Sequence, residues 1–153
     1  MTQRPTPGTL YRFPPQARAH AEATVTALGY RPFPVSLQAC HDKAGVLQQF
    51  ARTLAFPAWF GHNWDALADC LGDLSWLPVQ PFDGQTNPPG IALILVDCTT
   101  LAHTEPDTLA TLLDILDELT HDATPNHPAP WALVEADSGH PVTDTLPELP
   151  GDH

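Results

Sequence analysis

Apolar residues recur along this chain with two spacings, and the places where one spacing gives way to the other outline its elements. From Tyr30 to Ala39 the pattern has a period of two, with Phe33, Val35, Leu37 and Ala39 set against Pro34, Ser36 and Gln38, as in a strand with one covered face. Pro34 brings no N–H to a ladder, so this strand belongs at an edge or begins there. The period then lengthens. Asp42 is placed to cap a helix carrying Val46, Leu47, Phe50, Ala51 and Leu54 on one face and ending before Pro57. A second helix follows Asn63, with Trp64, Leu67, Leu71 and Leu74 on one side and Asp65, Asp69 and Asp73 in a column on the other. Residues 77–90, rich in Pro and Gly, read as a long surface loop. Ile91 to Val96 are six apolar residues in a row between turn signals, the mark of a central strand covered on both faces. Thr99 to His103 form a helical turn. Pro106 opens a helix with Leu109, Leu112, Leu113, Leu116 and Leu119 inside and Asp107, Asp114, Asp117 and Glu118 mostly outside. Trp131 to Ala136 are a last strand.

Strands separated by helical crossovers pair in parallel, so the chain predicts an α/β fold: a three-stranded parallel sheet packed with helices. Upstream, an Ala-rich stretch from Gln16 to Leu28, closed by Gly29, predicts an accessory helix. The division expected is an N-terminal extension over 1–29, comprising a loose Pro-containing arm with a short extended piece at 9–13 and that helix; a main domain over 30–137; and a flexible acidic tail over 138–153.

Composition narrows what such a domain does. At 153 residues with 42% apolar content there is material for one core. Six Lys and Arg against 18 Asp and Glu leave a net charge of −12, which disfavours direct contact with nucleic acid or an anionic membrane and favours a basic protein partner. Cys40, Cys70 and Cys98 are far apart and show no zinc-type grouping, so free thiols in a reducing compartment are expected. No stretch reaches signal-peptide or membrane-span length, and the expectation is a cytoplasmic protein, monomeric when free, with no cofactor.

The Asp column is where chemistry concentrates. Asp65, in the first turn behind the Asn63 cap, is favoured by the helix dipole. Asp69 and Asp73 gain nothing locally, and like charges four residues apart cost about 0.2–0.5 kcal/mol per pair, so the column needs a reason outside the helix. A cationic partner is one. A metal-dependent enzyme using His62, Asp65 and Asp69 at i, i+3 and i+7 is the alternative chemistry, although His62 precedes the cap and no second cluster supplies a general base. His41 and Asp42, adjacent on a turn, do not aim at one point.

The stretch Phe56-Pro57-Ala58-Trp59-Phe60-Gly61-His62-Asn63-Trp64-Asp65-Ala66-Leu67-Ala68-Asp69-Cys70-Leu71 resembles, without a gap, the central motif of the barstar family, intracellular inhibitors of secreted bacterial ribonucleases. The resemblance implies a barstar-like fold over about 30–136 and a non-catalytic protein whose helix and preceding loop plug a basic ribonuclease. By position, Asp69 would take the phosphate-binding place among the enzyme's cations, Asp65 would lie beside it, and Trp59 would cover the cleft. Asn63, Asp73 and Asp107 complete the expected partner-binding set, Asp107 as the counterpart of a further family acid. Asn63 and Gly61 match as mainly structural positions and Cys70 as packing. Ala68 replaces an aromatic of the best-known member, and Asp73-Leu74 replaces its Gly-Trp, which leaves the target nuclease open and keeps a different toxin or nucleic-acid-binding protein as an alternative partner.

Overall fold

A computed structural model describes residues 9–56, 60–61, 63–73, 90–121, 131–136 and 142–150; for 72, 73, 120 and 121 it describes the backbone only. The strands are β1 (Tyr11–Phe13), β2 (Tyr30–Ser36), β3 (Gly90–Val96) and β4 (Trp131–Glu135), and the α-helices are α1 (Arg18–Ala27), α2 (Lys43–Thr53), α3 (Trp64–Asp73), α4 (Thr99–Thr104) and α5 (Pro106–His121). All strand pairs are parallel, in the order β1-β4-β3-β2.

The unbroken apolar run of β3 has its explanation in two layers of helices. Leu93 and Leu95 point into a large cluster shared with α2, α3, α4 and α5, through residues such as Phe50, Leu67, Leu71, Leu101, Leu112 and Leu116. Ala92, Ile94 and Val96 point the other way, into a smaller cluster with Phe13, Trp131, Leu133 and the α1 residues Ala21 and Val25. Successive side chains of a strand face opposite sides, so a strand between two apolar layers has no polar position to spare. Gly90 begins this strand against the ring of its register partner Tyr30, where a Cβ would come within 2.7 Å of ring carbon.

The sheet has four strands where three were expected. Tyr11–Phe13 pairs with β4 in the register Tyr11↔Leu133, Arg12↔Val134 and Phe13↔Glu135. This is the short extended piece expected at 9–13; too short to be placed in the sheet by its period, it is recruited because Phe13, fully buried, fills the sheet's second face. Trp131 ties the same region down: its indole N–H donates to the Thr9 carbonyl at 2.8 Å, and its ring meets Tyr11 and Tyr30 edge-on.

Residues 142–150, expected to be flexible, are also held. The Arg12 N–H donates to the Pro147 carbonyl at 2.9 Å and the Leu149 N–H to the Arg12 carbonyl at 2.8 Å, so this segment pairs with the outer side of β1 while Leu149 is buried. At the opposite side of the sheet lies β2, an edge strand as Pro34 foretold. The Leu37 N–H reaches back to the Val96 carbonyl at 2.9 Å. Alternate residues of a strand direct their N–H groups to one side, so Pro32 and Pro34 face outward, where no ladder bond is lost.

One polar cluster joins α1 to the carboxyl ends of the parallel strands. The Arg18 Nε donates to Glu135 at 2.7 Å, its Nη2 lies 2.6 Å from Glu135 and 3.3 Å from Asp97, and Ser36 donates to Asp97 at 3.0 Å. The Asp97 N–H donates to Glu135 at 3.2 Å, which holds Asp97 at a φ of 58°, an uncommon conformation for a residue with a side chain. Glu135 is only 6% exposed, and a buried carboxylate persists because it is paired. Sequence reading did not find this cluster, since its four members are scattered over more than 100 positions.

Candidate functional site

The acidic ridge is positioned by the way α2 ends. Leu54 is buried, Ala55 takes a left-handed φ of 52°, and the Phe56 N–H returns to the Ala51 carbonyl at 2.9 Å, a Schellman-type stop. Glycine is the residue this position favours, so Ala55→Gly should raise stability by about 0.5–1 kcal/mol. A thermal melt with Tm unchanged or lowered would refute that.

Phe56 then meets Phe60 edge-on, with ring centroids 4.9 Å apart, and Phe60 is buried against the main core. Both ends of the loop preceding α3 are thereby pinned to the core. Trp59, between them, lies outside the described residues, as does His62.

Asn63 caps α3. Its Oδ1 accepts the Ala66 N–H at 2.7 Å and its Nδ2 donates to the Gly61 carbonyl at 3.4 Å, so its amide is engaged with the backbone. Removing that cap in Asn63→Ala should cost about 1 kcal/mol. Urea unfolding with a midpoint equal to that of the parent would contradict it.

Beyond the cap, Leu67, Cys70 and Leu71 are fully buried, while Asp65, Ala68 and Asp69 are exposed. The helix turns its apolar side to the core and its carboxylates to solvent, as its spacing predicts. Residues four apart on a helix have Cβ atoms roughly 5–6 Å from each other, so Asp65 and Asp69 form one anionic patch. Among the described residues, neither carboxylate has a hydrogen-bond or ion-pair partner. Asp73 closes α3, but its side chain is not among those described. Asp107 is exposed in the first turn of α5, which packs beside α3. It therefore stands on a neighbouring helix and not on the ridge itself.

Trp64 is half-buried and packs against the core, as its place among the leucines predicts. Its ring carries a feature that the sequence reading missed: the Lys43 ammonium lies 5.5 Å from its centroid. The signal was present in the sequence, because a lysine immediately after a cap sits at the positive end of a helix dipole, where cations are disfavoured.

Other chemistries find little here. Among the described residues no group of three or more His, Cys, Asp or Glu is placed to hold a metal ion; His62, the third ligand of the metal alternative beside Asp65 and Asp69, lies outside them. Cys40, Cys70 and Cys98 are buried thiols that form no disulfide. Burial, followed by the nearby Glu135 and Asp97 charges, pushes the Cys98 thiol above its ordinary range, and burial with Asp42 raises Cys40. Thiols so raised are poor nucleophiles, since the thiolate is the reactive form. Among the described residues no helix is long and apolar enough to cross a membrane.

What the arrangement offers is a surface. An anionic ridge stands on a helix packed against the core, preceded by a stretch whose Phe56 and Phe60 are packed on the same core. A family model described as Barstar (barnase inhibitor) matches residues 30–135, from the start of β2 to the end of β4. No curated protein matches the chain.

Proposed function

Because the chain belongs to the barstar family, we propose that it is a non-catalytic inhibitor of a basic ribonuclease and that it closes the enzyme's active site with α3 and the loop before it. One observation carries the reading: Asp65 and Asp69 are exposed, adjacent and unneutralised by the described residues of their own chain. An active site that binds RNA phosphates is lined with cations, and a carboxylate held at the phosphate position competes for the same donors. Asp69 is the central anion in this scheme, Asp65 its neighbour, Trp59 the cover of the cleft, and Asp73 and Asp107 outer contacts. Asn63 contributes by fixing the first turn.

The net charge of −12 acts at longer range. Opposite fields steer encounter, and charge-assisted hydrogen bonds from Arg to carboxylate hold the docked pair. The protein works where it is made, in the cytoplasm, as a monomer that meets the nuclease one to one.

Titration of a basic ribonuclease such as barnase with the purified chain tests the reading. RNA cleavage should fall to baseline at one equivalent, and raising the salt should slow association much more than it speeds dissociation. Full cleavage in the presence of a large excess, against barnase and other basic secreted ribonucleases, would refute it.

A second reading is a barstar-fold protein directed at a different toxin, and it is favoured by Ala68. This small residue is exposed beside the two acids, so the patch lacks an aromatic anchor there, where binding surfaces usually concentrate affinity. Tight binding to a toxin without ribonuclease activity would decide for it.

A further inference from the structure

Lys43 is the first residue of α2, exposed, and set beside the Asp42 side chain that caps the helix. A cation there faces the positive end of the helix dipole and is disfavoured. Among the described residues no carboxylate lies within ion-pair distance of it. What it does have is the face of Trp64, with the ammonium 5.5 Å from the ring centroid, inside the range of a cation–π contact. Trp64 is the first residue of α3 and immediately precedes Asp65. The lysine is therefore steered by an aromatic ring to the amino-terminal end of the acidic ridge, a fixed positive point at the border of a patch suited to cations.

Such a charge weakens docking to a surface that is basic throughout. It becomes favourable only where the partner offers an anion opposite it. We propose that Lys43, held on Trp64, is a specificity-determining contact that selects ribonucleases carrying a carboxylate side chain at the rim of their cationic active site. The inference rests on the inhibitor reading and narrows its partner: a basic enzyme with one acid at a defined border position. Trp64 acts through Lys43 as a positioning residue.

The test uses the full chain and catalytically inactive barnase as probe, together with a set of barnase variants in which residues bordering the active site are changed singly to Glu or to Lys. Dissociation constants are measured for the parent, Lys43→Glu, Lys43→Arg, Trp64→Leu and Asp69→Ala. At one border position the parent should prefer the Glu probe over the Lys probe by at least about tenfold, and Lys43→Glu should reverse that order. Lys43→Arg should keep the parental preference, and Trp64→Leu should reduce it. Asp69→Ala should weaken binding to both probes alike. If Asp69→Ala weakens binding but the Glu-to-Lys ratio at every border position is the same within about twofold for parent and Lys43→Glu, Lys43 has no selective role and the proposal is overturned. If binding to the whole set is insensitive to Asp69, or is absent both there and with other basic secreted ribonucleases, the inhibitor reading falls and takes this proposal with it.

Discussion

Asp69→Ala should leave the fold and its melting temperature unchanged while weakening inhibition of the target ribonuclease by roughly 30-fold to several thousand-fold, the 2–5 kcal/mol typical of truncating one partner of a desolvated charge pair. The separation between stability and affinity follows from where the side chain stands. Asp69 is exposed, has no hydrogen-bond or ion-pair partner among the described residues, and sits on the side of α3 opposite the core. Its removal also relieves repulsion with Asp65, so stability should stay level or rise by a few tenths of a kcal/mol. In the proposed complex the same carboxylate would be enclosed by the enzyme's cations, and its loss would leave them buried and unpaired. Asp65→Ala, nearer the end of the ridge, should weaken inhibition less. Calorimetry and progress curves on the two variants check both halves of the statement. If Asp69→Ala inhibits as well as the parent, the carboxylate is not the anion that occupies the site.

Removing residues 1–29 should abolish cooperative folding, a result that a main domain beginning at residue 30 would not lead one to expect. The deletion takes away β1 and α1, and with them Phe13, Ala21 and Val25, all fully buried against Ile94, Trp131 and Leu133. The uncovered Ile94, Trp131 and Leu133 then face water at about 1.5–3 kcal/mol each, a loss comparable to a typical domain's total stability of about 5–15 kcal/mol. The deletion also strips Arg18 from Glu135, leaving a carboxylate that is 6% exposed with the Asp97 N–H as its remaining partner. The single change Arg18→Ala isolates that last effect. Because the Arg18 side chain is 44% exposed, the cost should be about 2 kcal/mol, below the 3–5 kcal/mol of a fully buried pair. A truncated chain that melts cooperatively at the parental temperature would show that the second face of the sheet needs no cover.

How far the sequence could be read depends on the distance over which each feature is encoded. The cap at Asn63, the exposed and buried sides of α3, the two-sided burial of β3 and the edge position of β2 are set by residues within one or two turns of each other, and all were legible. The motif at 56–71 is likewise continuous, and it places the fold as well as the ridge. The short extended piece at 9–13 was legible but its place as a fourth strand was not, because what brings Tyr11–Phe13 into the sheet is the free edge of β4, some 120 positions away. The same holds for the pairing of 142–150 with β1 and for the Arg18, Asp97 and Glu135 cluster, where each partner is an ordinary polar residue until the sheet brings them together. Lys43 was overlooked for another reason. Its unfavourable place in the dipole was visible, but the ring that compensates for it belongs to a different helix.

The two borders of the sheet have a consequence for how the protein keeps in a crowded cell. One border presents prolines outward and the other already has its hydrogen bonds taken by residues 142–150. A second copy approaching β2 sideways meets outward carbonyls but no N–H donors at Pro32 and Pro34, and the outer side of β1 already pairs with residues 142–150, which disfavours the strand-on-strand growth that starts fibres. A protein protected at both borders should stay dispersed at high concentration, with Asp65 and Asp69 exposed in every copy.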